Sequence, residues 1–153
     1  GELRLALGRM PGRALVEAFI PGREFAVSAW GGDRAEHFSI GETVFANGLE
    51  LVTYDAKWQP ESPDFRDSPV SYRTEVDPAL RAALVGTAGR AWSAVGARGY
   101  MRVDARLDAS GVPVVLDVNP NPALSRVGGI HDAAIAAGWT WERFVAAQVG
   151  WAR

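Results

Sequence analysis

Residues 99–125 read GYMRVDARLDASGVPVVLDVNPNPALS, two strand-like runs joined by a turn. Successive side chains of a strand point to opposite faces. Arg102 and Asp104 therefore share one side of the first run, while Met101, Val103, Ala105 and Leu107 take the other. In the second run Asp117 and Asn119 oppose Leu116 and Val118. Asp108, Ser110 and Gly111 supply the turn. Antiparallel pairing of the two runs gathers Asp104, Asp117 and Asn119 on one face, with Arg102 beside them. Two carboxylates and an amide oxygen are hard oxygen ligands, the set Mg²⁺ prefers when it is shared with phosphate.

The same alternation permits blander readings, a solvated sheet face or a structural ion pair with Arg102. Against the first, Asp117 and Asn119 interrupt a very apolar run, VPVVLDVN, and facing carboxylates repel unless a cation lies between them. A guanidinium beside them also suits a phosphate or a developing anion.

The rest of the 153 residues sets limits. This length suits one compact domain burying roughly 68–70% of its unfolded surface. With a formal net charge of −2 and no Lys/Arg cluster, the chain has no basic field for nucleic acid or an anionic membrane. Cysteine is absent, which excludes disulfides and thiolate metal sites. No apolar stretch approaches the ~20 residues of a membrane span, and no signal-peptide pattern opens the chain. These features predict a soluble, cytoplasmic protein.

Outward from the central hairpin, residues 1–14 show no period and read as an irregular lead-in, the tail of a larger polypeptide. Residues 15–153 read as the domain. LVEAFI, Pro21-Gly22 and REFAVSAW predict a β-hairpin around a type II turn. Gly31, Gly32 and Asp33 predict the next turn, and AEHFSIGETVF a further strand with a break at Gly41. Asn47 to Glu50 is turn-like, and from Gln59 onward a proline-punctuated loop is expected. Asp77 as N-cap, Pro78 at the first helical position and Gly96 as stop frame a helix. Its stripe of Leu80, Leu84, Ala88, Ala91, Trp92 and Val95 would pack on the sheet. Pro120 and Pro122 enforce a shaped loop after the second central strand. Two helices follow, near residues 130–137 and 141–152, with Thr140 capping the second. The order predicts an α+β domain, a mostly antiparallel sheet with helices packed on one face.

Other residues could carry chemistry. Lys57, in YDAKW, is either a surface lysine lying along its aromatic neighbours or a phosphate-binding cation. Glu17, embedded in LVEAFI, would be partly buried and would want donors. His37 and His131 lack metal-ligand spacing, and the six tryptophans read as packing residues.

Taken in order, four motifs resemble one family. VEAFIPGREF at 16–25, YDAK at 54–57, GYMRVDARLD at 99–108 and LDVNPNP at 116–122 are similar to the C-terminal half of the ATP-grasp ligases, D-alanine–D-alanine ligases being the closest match. The resemblance runs from residue 15 to the end and implies the ATP-grasp C-terminal subdomain. It implies an enzyme that uses ATP and Mg²⁺, or Mn²⁺, to join a carboxylate to an amine through an acyl phosphate. Under it, Glu17 receives the adenine amino group beside the backbone of Ala18 and Ile20, Glu24 holds the ribose and Lys57 meets the transferred phosphate. Asp104, Asp117 and Asn119 hold the metal, and Arg102 and the Ala123 N–H stabilise charge at the reacting centre.

The chain also departs from that pattern. The family usually carries Glu at Asp117, Gly at Ala123 and Ser near Gly128, and Arg126 has entered the same loop. Small amino-acid or peptide-like substrates other than D-alanine are therefore expected, with Arg126 gripping a carboxylate beside Gly128. The resemblance further implies an N-terminal part of the same polypeptide with a glycine-rich lid, and a homodimer. The chain reads as a fragment that binds nucleotide weakly and catalyses nothing alone. Two alternatives stand beside the ligase: a regulatory or degenerate nucleotide- or metal-binding ATP-grasp module, and a structural scaffold.

Overall fold

The computed structural model describes residues 15–151. The expectation for residues 1–14 lies outside them. Five strands form one sheet in the order β3-β2-β1-β4-β5, every neighbour antiparallel. They are β1 (Glu24–Gly31), β2 (Ala35–Thr43), β3 (Val70–Ser71), β4 (Gly99–Leu107) and β5 (Pro113–Asn119). Among the described residues five helices accompany them: α1 (Tyr54–Trp58), α2 (Pro63–Arg66), α3 (Pro78–Val95), α4 (Gly129–Ala136) and α5 (Trp141–Trp151).

The expected α+β domain with an antiparallel sheet is present, but its helices pack on both faces of the sheet and not on one. β1 lies at its centre and is buried from Phe25 to Gly31, and its sequence EFAVSAWG is nearly continuous in apolar or small residues. Phe25, Val27 and Ala29 of β1 pack with Met101 and Val103 of β4 against Leu84, Ala88 and Trp92 of α3. Each fully buried large side chain of this set contributes roughly 1.5–3 kcal/mol. Trp30 points to the other face. There it meets Ile130 and Ala134 of α4 and Trp141 and Phe144 of α5. These two helices cover one end of that face, and the rest of it faces the cleft described below.

Local chemistry sets the ends of α3. Asp77 accepts from the Ala79 and Leu80 amides at 3.0 Å, Pro78 opens the helix, and Gly96 leaves it in the left-handed region at φ 62°. The Ala97 amide then bonds the Trp92 carbonyl at 3.0 Å. The packing stripe ends at Trp92, because Val95, one turn from the sheet, is 48% exposed.

Four expectations require correction. Residues 15–20 do not pair as a strand, because β2 and β4 already occupy both edges of β1. Gly22 is not a turn glycine, since it lacks the positive φ that a type II turn demands at that position. It is small because a Cβ there would stand 1.9 Å from the Leu107 carbonyl oxygen, where the chain crosses the end of β4. Gly41 does not break β2 either. It admits Val70 and Tyr72, whose side chains a Cβ would meet at 2.5 and 2.9 Å. Finally, the proline-punctuated segment contains α2, where Ser62 caps the Phe65 amide at 3.1 Å and Pro63 takes the first helical position.

Candidate nucleotide and metal site

β4 and β5 pair as their alternation predicts. Arg102 stands opposite Asn119 and Asp104 opposite Asp117. Directly opposed residues hold their Cβ atoms about 4.5–5.5 Å apart. The Asp108 turn is also as expected, its Oδ1 accepting from the Ser110 and Val112 amides at 2.8 and 2.9 Å. One feature is absent from the periodicity. The register shifts after Asp104, so Ala105 pairs with Val115 and Leu116 is the extra residue of a bulge. Such a bulge bends the strand beside Asp117 and re-aims its neighbours.

A cleft of about 920 Å³ opens on this face. Its lining brings together Arg102, Asp104 and Asp117 with Glu17, Ala18, Ile20, Glu24, Lys57 and Gly128. Three expected site residues are not part of the lining. Asn119 borders it in register, with its Oδ1 accepting from the Asn121 amide at 3.0 Å. Ala123 lies exposed in the proline loop. Arg126 is ion-paired to Glu142 at 2.7 Å on the surface, where it holds that carboxyl below its ordinary range.

Within the cleft the charges are ordered. Arg102 Nε donates to Asp104 Oδ1 at 2.7 Å and Nη2 to Oδ2 at 2.8 Å, a bidentate pair along one strand. Burial acts to lower the Arg102 pKa, but the hydrogen-bonded Asp104, with further support from Asp117, outweighs it and leaves the guanidinium more firmly protonated. Asp117 is exposed to the cleft. Lys57 is also exposed, on α1, whose N-cap Thr53 accepts from the Ala56 amide and donates to Asp64 at 2.6 Å, tying α1 to α2.

Three lining residues were not anticipated from the sequence. Arg106 continues the alternation of Arg102 and Asp104 and is almost fully buried against Glu24. That alternation was the available signal. Tyr72 donates to the Gly129 carbonyl at 3.0 Å, and its hydroxyl is pushed up to about 12 by burial first and Asp132 next, with Arg102 pulling the other way. Asp132 sits in the first turn of α4. Neither Tyr72 nor Asp132 carries a local sequence signal.

The donor set suits a cation shared with phosphate. Among the described residues no three His, Cys, Asp or Glu side chains form a ligand cluster. Mg²⁺ at a nucleotide needs only one or two protein carboxylates, the remaining ligands being phosphate oxygens and water. Asp104 and Asp117 meet that requirement.

Residues 4–149 match the family described as D-ala D-ala ligase C-terminus. The chain belongs to this family. It is 33% identical over 147 residues to a D-alanine–D-alanine ligase of Gloeobacter violaceus, an alignment covering 94% of this chain and 44% of that protein. It is also 33% identical over 137 residues to an uncharacterized protein, y4sG, of Sinorhizobium fredii, covering 86% of this chain and 38% of the relative. The chain thus spans less than half the length of these relatives.

Solved structures of family members share the fold. The D-alanine–D-alanine ligase of Bacillus anthracis complexed with ATP superposes with a TM-score of 0.63 at 17% identity, over 86% of this chain and 37% of that one. The VanG D-Ala:D-Ser ligase of Enterococcus faecalis gives 0.67 at 20% identity, over 87% and 37%. Among the described residues no helix is long and apolar enough to cross a membrane.

Proposed function

We propose that the polypeptide carrying this chain is a magnesium–ATP-dependent carboxylate–amine ligase, and that this chain forms the wall that holds nucleotide and metal. The observation that carries the reading is Asp104 opposite Asp117, with Arg102 on the same face, in a cleft that also collects Glu17, Glu24 and Lys57. Family membership supports it, as does the ATP complex of the Bacillus anthracis relative.

ATP supplies the phosphoryl group that makes a carboxylate electrophilic, and Mg²⁺ neutralises the polyphosphate. The chain's own residues bind and orient. Glu17 and the backbone of Ala18 and Ile20 receive the base, and Glu24 receives the ribose. Lys57 reaches the phosphates from α1. Asp104 and Asp117 would hold the cation, with Asn119 at the margin and the Ala123 N–H in the loop beyond. Arg102 holds Asp104 in place and presents its remaining N–H groups to developing negative charge. Positioning and charge neutralisation supply most of what phosphoryl transfer requires. Small amino-acid or peptide-like molecules enter beside Gly128, near Tyr72 and Asp132. Arg126 lies outside the cleft lining and is ion-paired on the surface to Glu142.

The test is ADP formation by the intact polypeptide with D- and L-amino acids and dipeptides, supplied singly and in pairs. The reading expects turnover that needs ATP, Mg²⁺ and both a carboxylate and an amine. It expects none from this chain alone, which spans 38–44% of its curated relatives. Nucleotide binding without amino-acid-dependent turnover by the intact polypeptide would favour a regulatory module instead.

A further inference from the structure

Arg106 is 4% exposed, unusual for a residue whose charge ordinarily keeps it in water. Its alternation with Arg102 and Asp104 turns it to the cleft face of β4, yet its partners come from three other segments. Nε donates to Glu24 Oε2 at 2.8 Å, at the start of β1. Nη1 donates to the Ile20 carbonyl at 2.8 Å, in the segment leading into β1. Nη2 donates to the Glu50 carbonyl, in the loop after β2. The Phe19 and Phe45 rings lie 5.0 and 5.1 Å from its guanidinium carbon. A planar fork with separate N–H groups can serve a carboxylate and two carbonyls while resting against aromatic faces, and an ammonium cannot.

Ile20, Glu24 and Phe19 line the cleft, as does Leu51, the residue after Glu50. Among the described residues the Glu24 carboxylate is bonded through Oε2 alone, which leaves Oε1 free to accept from a ligand. We propose that Arg106 is a positioning residue that fixes the sugar- and base-facing end of the cleft, holding Glu24 with one oxygen presented and the 19–20 segment at a set distance from it. The inference rests on the nucleotide reading given above. Under it, Arg106 touches no ligand and acts through Glu24.

Binding of Mg·ATP and Mg·2′,3′-dideoxy-ATP to the intact polypeptide, measured by calorimetry, tests this. The unaltered protein should prefer ATP by roughly ten-fold or more, the effect of hydrogen bonds to a charged acceptor. In Arg106→Met and Arg106→Lys that preference should fall to about one. A residue that only stabilises the fold would lower the melting temperature and leave the preference intact. Phe45→Leu spares every hydrogen bond of Arg106 while loosening its seat, so a reduced preference there is expected even where Arg106→Met does not fold. An unchanged preference in any folded Arg106 variant would overturn the inference, as would an unaltered protein that binds both nucleotides equally. Failure of the unaltered protein to bind either nucleotide would instead overturn the functional reading, and this inference with it.

Discussion

Asp104 and Asp117 face each other across β4 and β5, and Arg102 holds Asp104 through both carboxylate oxygens at 2.7 and 2.8 Å. Two negative charges thus share one guanidinium, an arrangement that a divalent cation would complete under the proposed function. Arg102→Met leaves the carboxylates opposed without a partner. We expect a loss of about 1–3 kcal/mol in stability, the cost of leaving a partly buried charged group unpaired. Mg²⁺ at constant ionic strength should restore part of that loss and should stabilise the unaltered protein less. Thermal melts of both proteins with and without Mg²⁺ measure this, and an equal Mg²⁺ response in the two would contradict it.

Gly22 and Gly89 make a contrasting pair. A Cβ at Gly22 would lie 1.9 Å from the Leu107 carbonyl oxygen, a backbone atom that cannot swing aside. Gly22→Ala should therefore cost about 1–3 kcal/mol, typical of overpacking, and displace the 17–20 segment, weakening nucleotide binding. Gly89 lies within α3 and a Cβ there meets nothing within 4 Å. Gly89→Ala should raise stability by about 0.5–1 kcal/mol through helix propensity. Chemical denaturation of the two variants gives both signs.

Arg23 and Glu42 join the start of β1 to the end of β2 through two bonds of 2.7 and 3.0 Å. The Arg23 hydrogen bond holds the Glu42 carboxyl below its ordinary value of 4.5, although burial pulls the other way. A depressed carboxyl pKa in the folded state adds stability above the unfolded value, and that stability is lost as pH falls through the folded value. Glu42→Gln should thus cost up to about 1 kcal/mol at pH 7, a modest figure because Arg23 is largely solvated. The difference should shrink once pH drops below 4.5. Urea melts at neutral and acid pH would show this convergence, and a constant difference would refute it.

The parts of the fold that local chemistry sets were legible in the sequence. Asp77-Pro78 and Gly96 frame α3 because caps act within a few residues, and the β4–β5 pairing follows from alternation and the Asp108 turn, although the bulge at Leu116 that sets Asp104 opposite Asp117 does not. The segment before β1 was misread as a hairpin arm. Its apolar content suits a strand, but whether a strand forms depends on a free sheet edge, and β1 has none. Arg106 and Arg126 illustrate the same limit at the site. One is buried by partners 56–86 residues away and the other is held on the surface by Glu142, contacts that no local pattern records.

We propose above all that Asp104 and Asp117 hold the cation that accompanies ATP. Calorimetric titration of ATP into the intact polypeptide, with and without Mg²⁺, for the unaltered protein and Asp117→Asn, tests it most directly. The unaltered protein should gain roughly ten-fold or more in affinity from Mg²⁺, about 1.4 kcal/mol. Asp117→Asn should keep the metal-free affinity and lose that gain. An equal gain from Mg²⁺ in both proteins would contradict the account.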